Sequence, residues 1–95
     1  MKKYYIAVCV PLASGGWRVV FPDAPDCGAD GSTLDRTVFR AADALAGYAA
    51  RLNGTAVKVL QGPRDLTTIR ADQNWGAAHK VDWSAAVITM IPLHI

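Results

Sequence analysis

All eight acidic residues of this 95-residue chain are aspartates, and with two histidines and two cysteines they are the side chains able to do chemistry. Asp23, Asp26 and Asp30 fall close together, with Asp82 far along the chain. Clustered carboxylates can hold magnesium for phosphoryl transfer, so a metal-dependent nuclease is the enzymatic reading. The three also lie within Phe21-Pro22-Asp23-Ala24-Pro25-Asp26-Cys27-Gly28-Ala29-Asp30-Gly31-Ser32-Thr33. Two prolines there lack an N–H and hold φ near roughly −65°, which forbids a regular ladder over 22–25. Short aspartates and glycines are what such a corner selects whatever the protein does, and that structural reading outweighs metal binding.

His79 and His94 have no Ser or Cys nucleophile beside them. Cys9 and Cys27 lack C-x-x-C spacing and a nearby histidine, which argues against zinc. They read as buried thiols of a reducing cytoplasm, a disulfide between them being the alternative. Nothing matches a P-loop, a dinucleotide-binding loop or an EF-hand loop. The expectation is therefore no catalytic residue, no metal, no cofactor and no enzyme activity.

The elements that must position these groups follow from hydrophobic period. Residues 4–12 form a first strand, with Tyr4, Ile6, Val8 and Val10 on one face and Tyr5, Ala7 and Cys9 on the other. Ser14-Gly15-Gly16 is a hairpin-length break before a second strand, Trp17 to Phe21. Residues 27–30 add a short third strand. The more apolar faces are expected to meet a long helix over Thr33 to Leu52. Its stripe is Leu34, Val38, Ala41, Ala42, Leu45, Tyr48, Ala49 and Leu52, with Arg36, Arg40, Asp43 and Gly47 opposite. Ser32 followed by Asp35 reads as a capping-box-like start, and Asn53-Gly54 as the stop. Phe39 sits off the stripe, and cover from another part of the chain is expected, with cover by a partner the second reading.

Val57 to Leu60 reads as an edge strand, and Leu66 to Ala71 as a short helix capped by Asp65. Residues 72–76 read as a turn and Val81 to Ile91 as the last strand. The result is an α+β fold: a small antiparallel sheet in β-β-β-α-α-β order with one long helix packed on one face. The last strand carries Ile88 and Met90 opposite an already apolar face, so it needs cover on both sides. That motivates a homodimer or larger assembly through Ile88 and Met90 or a sheet edge.

Length sets one domain over 1–95 with a modest core. A formal charge of +2, with basic residues dispersed along the chain, gives no nucleic-acid signature. Trp75 and Trp83 sit too near a turn and a strand to read as base-stacking platforms. The run after Met1-Lys2-Lys3 has a faint signal-peptide look, but a short apolar run bounded by turn residues reads better as a buried strand. No run approaches the roughly 20 apolar residues of a membrane span.

Tyr4-Tyr5-Ile6-Ala7-Val8, the Phe21-to-Cys27 corner and Gly31-Ser32-Thr33-Leu34 opening a helix together resemble the HicB family of antitoxins. That family shows a tyrosine-rich first strand, a Phe-Pro-Asp-x-Pro-Gly-Cys corner and a Gly-x-Thr-Leu helix start. Pro63, Asp65-Leu66 and Ala71-Asp72 resemble the segment after its long helix. Asp26 replaces a glycine, a change that aspartate tolerates in left-handed geometry. Arg36 and Thr37 stand where Glu-Ala is common, a change expected to alter a surface and leave the fold intact.

The resemblance implies a degraded, catalytically dead ribonuclease-H-like fold in a bacterial type II toxin–antitoxin system. Its partner would be a small basic HicA-type mRNA-cleaving toxin, masked in the cytoplasm, with Asp23, Asp26 and Asp30 complementing its charge. The family commonly adds a DNA-binding module after the last strand, and here the sequence ends at Ile95, so specific DNA binding by this chain alone is not expected. An orphan oligomeric HicB-like protein and the metal-dependent nuclease are the competing readings.

Overall fold

The structure, a computed structural model, describes residues 2–24, 27–53 and 64–94. The β-branched and aromatic first run forms β1 (Lys2–Pro11), which turns tightly into β2 (Trp17–Val20). Gly15 makes the turn, at φ 98°, and Leu12 N–H donates to the Gly16 carbonyl at 2.8 Å. A backbone with positive φ is what glycine accepts without a Cβ clash. β3 (Gly28–Gly31) and β4 (Val87–His94) complete one antiparallel sheet in the order β3-β2-β1-β4. β1 is thus an interior strand of the sheet. The edge strand expected at Val57–Leu60 lies outside the described residues.

The long helix α1 (Leu34–Asn53) lies on one face. Tyr5, Ala7 and Cys9 of β1 join Val19, Phe21, Ile91 and Leu93 in a cluster with Ala41 and Leu45 of α1. This corrects the expected choice of face: Ile6, Val8 and Val10, the more uniformly aliphatic set, point away from α1. Ala7 and Cys9 are small, and their size leaves room for the helix close to the sheet. The aliphatic set packs instead with Ile69 of α2 (Leu66–Ala71), Trp75 of α3 (Gln73–Ala78), and Val81 and Trp83 beyond them. The sheet is covered on both faces, which is why β4 is apolar on both. Ile88 belongs to this second cluster, whereas Met90 is 58% exposed.

The start of α1 differs from the expected cap. Thr33, not Ser32, takes an orphan amide: its Oγ1 accepts from Arg36 N–H at 3.2 Å. Thr37 is not a surface residue but fully buried, its hydroxyl donating to the Thr33 carbonyl at 2.7 Å. A Cβ at Gly31 would meet Thr37 Oγ1 at 2.5 Å, so that glycine lets β3 lie against the first turn of α1. Ala42 is exposed and Ala44 packs in its place; Phe39 is 72% exposed, so the expected intramolecular cover does not come from the described residues.

The turn expected over 72–76 is the start of α3, capped by Asp72, whose carboxylate accepts from Trp75 N–H at 3.0 Å. Asp65 caps α2 as expected, accepting from Thr68 N–H at 2.8 Å. α3 closes in a Schellman arrangement: Val81 N–H donates to Gly76 O and Lys80 N–H to Ala77 O. Lys80 holds the left-handed position at φ 53°, where glycine is usual, at a cost of about 1 kcal/mol. The last strand begins at Val87 rather than Val81. Asp82 accepts from Ser84 N–H at 3.0 Å and Ser84 Oγ–H at 2.6 Å, and this side-chain turn competes with ladder pairing.

Candidate functional site

Asp23 ends up inside the corner, 3% exposed. Arg64 Nε donates to its Oδ1 at 2.5 Å and Arg64 backbone N–H to its Oδ2 at 2.6 Å. Arg64 Nη2 also donates to the Pro22 carbonyl at 3.2 Å, while Nη1 lies 3.8 Å from Asp72. One arginine thereby ties the corner to the segment that starts α2. Sequence reading singled out Asp23 but not Arg64, because the two are separated by 41 positions and only the fold joins them. Burial first, and the Asp23 charge second, raise the Tyr5 hydroxyl above its ordinary pKa, keeping it protonated.

Asp30 is exposed on β3, at the edge of the sheet. Its backbone carbonyl accepts from Arg40 Nη1 at 3.1 Å, which links β3 to α1. Asp23 therefore points inward and Asp30 outward, and Asp26 lies outside the described residues. On α1, joined to β3 through that Arg40 bond, Asp35, Arg36, Phe39 and Arg40 surround an open hollow of about 350 Å³. Phe39 is a bare aromatic ring on a rigid helix, the kind of group that anchors protein interfaces. Its position off the helical stripe was the signal available in the sequence.

His79 follows α3, its ring 4.9 Å from that of Trp75. Cys9 and Cys27 are buried free thiols, and burial pushes both above the ordinary thiol range. Among the described residues no group of three or more His, Cys, Asp or Glu side chains could hold a metal ion. None of the helices described is long and apolar enough to cross a membrane.

No protein-family model matches the chain, and no curated protein matches it. Among solved structures, the N-terminal domain of the Burkholderia pseudomallei antitoxin HicB is similar to it, with a TM-score of 0.77 at 15% identity. The match covers 97% of this chain and 99% of that one. The expected α+β architecture is thus a HicB N-terminal-domain fold, four antiparallel strands with one long helix on one face.

Proposed function

We propose that this chain is an antitoxin-like binding protein that masks a small basic RNA-cleaving toxin of the HicA type in the bacterial cytoplasm. The observation that carries the reading is a fold shared, end to end, with an antitoxin domain. The corner and helix-start motifs support it at the level of sequence. Phe39 supplies an anchor for such a partner, and Asp30, with Asp26, supplies acidic groups for its basic surface. Asp23 serves this face from behind, by holding Arg64 and the corner in place. The role requires no catalysis by the chain itself.

A second copy of the chain is the other partner. Tyr4 and Met90 are 47% and 58% exposed, and Pro92, cross-strand partner of Tyr4, is exposed beside them. With Ile88 at its inner margin, this patch at the β4 edge gives a homodimer or tetramer its contact surface. The test is to express the small basic reading frame encoded beside this gene, with and without the chain. Growth arrest by that frame, relieved when the chain is present, supports the proposal. A harmless frame, or one equally toxic with the chain present, leaves only the oligomeric scaffold reading.

A further inference from the structure

On the face opposite α1, β2 and the end of α3 enclose a notch of about 270 Å³ lined by Arg18, Val20, Ala78, His79 and Lys80. Period 2 places Arg18 there: Trp17 and Val19 turn toward α1, so Arg18 and Val20 turn the other way. The Nε–H of Arg18 is buried with no acceptor. Its cross-strand neighbour Asp30 is in register on β3 yet forms no ion pair with it, and Lys80 has none either among the described residues. The nearby acids are committed elsewhere, Asp72 to Arg64 and the Trp75 amide, and Asp82 to Ser84.

Lys80 adds an independent observation. It occupies the left-handed position of the Schellman arrangement, where glycine would fit without strain. A strained non-glycine residue on the rim of a cavity points to a use for its side chain. The last carbonyls of α3 are bonded by the amides of His79, Lys80 and Val81, which mutes the negative helix end beside the notch. The notch thus presents a guanidinium, an ammonium and an imidazole with no carboxylate paired to them among the described residues.

We infer that this notch is a phosphate-binding site, with Arg18 and Lys80 holding the oxyanion and His79 closing its rim. Arginine donates through a fork and lysine as a point charge, the pair of chemistries that phosphate oxygens accept. The inference is independent of the toxin-masking role, since it concerns the layer built by α2 and α3.

Calorimetric titration at fixed ionic strength tests it, with inorganic phosphate in one arm and a 5′-phosphorylated single-stranded RNA tetramer in another. Saturable binding in either arm is expected. Tighter binding of the tetramer identifies a nucleotide strand as the source, and equal binding identifies free phosphate. K80G is the diagnostic variant: it should weaken phosphate binding about tenfold or more while raising the melting temperature, since glycine relieves the backbone strain. R18Q should also lose about tenfold, and Arg51→Gln, exposed in the last turn of α1, should bind as the parent does. No saturable binding in either arm overturns the site, as does binding unchanged in both K80G and R18Q. A glutamate-rich peptide binding where phosphate does not also overturns it.

Discussion

Asp23 and Arg64 form the most heavily bonded side-chain pair in the described corner, and their removal should be read in stability before affinity. Asp23→Ala leaves the Nε–H and backbone N–H of Arg64 without their acceptor, though Arg64 keeps its bond to the Pro22 carbonyl and reaches solvent with 32% of its side chain exposed. The expected cost is about 2 kcal/mol in urea unfolding, less than for a fully buried pair. Unchanged stability would show that the pair does not brace the corner. Hydrogen bonds from Thr68 to Asp65, and from Ser84 to Asp82, hold both carboxyls below the usual carboxylate range. A lowered folded value means their contribution is full above about pH 4 and is lost as pH falls through those lowered values. Urea midpoints should therefore decline on acidification below about pH 4, and Asp65→Ala should flatten part of that decline. The thiols of Cys9 and Cys27, raised by burial, should resist a thiol-specific disulfide reagent until the chain unfolds. Modification of the native protein at the rate of a free thiol would contradict their burial.

At the scale of elements, two layers seal the sheet, and each has one fully buried aliphatic keystone: Leu45 in α1 and Ile69 in α2. Leu45→Ala and Ile69→Ala should each cost about 2–5 kcal/mol. A neutral Ile69→Ala would mean that the short helices merely rest on the sheet. Helix α1 was legible because its stripe repeats over five turns, and α2 because Asp65 announces its start. The face of β1 that meets α1 was not legible: both faces are apolar, and the deciding factor is the small size of Ala7 and Cys9. The late start of β4 was hidden too, because Val81, Trp83 and Ala85 alternate as a strand would while Asp82 draws the backbone into a turn. Of the candidate site, the corner motif and Asp30 could be read from the sequence. Arg64, and the meeting of Arg18 with Lys80, required the fold, since no local period links residues so far apart.

For the whole molecule, we propose the β3 side with Phe39 and Asp30 as the toxin contact and the β4 side with Tyr4 and Met90 as the contact with a second copy of the chain. Met90→Lys should shift the assembly toward monomer in light scattering while unfolding as the parent does. A monomeric parent at high concentration would remove that surface. Phe39→Ala should change stability by no more than about 0.5 kcal/mol, as its ring is largely in solvent. Affinity for a basic partner should fall with salt, because exposed charges are screened within roughly 8 Å at physiological ionic strength. The central claim is masking, and it is tested most directly by RNA cleavage with the purified product of the neighbouring small basic reading frame. Cleavage should cease when the chain is added in equimolar amount and return when Phe39→Ala replaces it. Cleavage that continues unchanged at a molar excess of the parent chain would contradict the account.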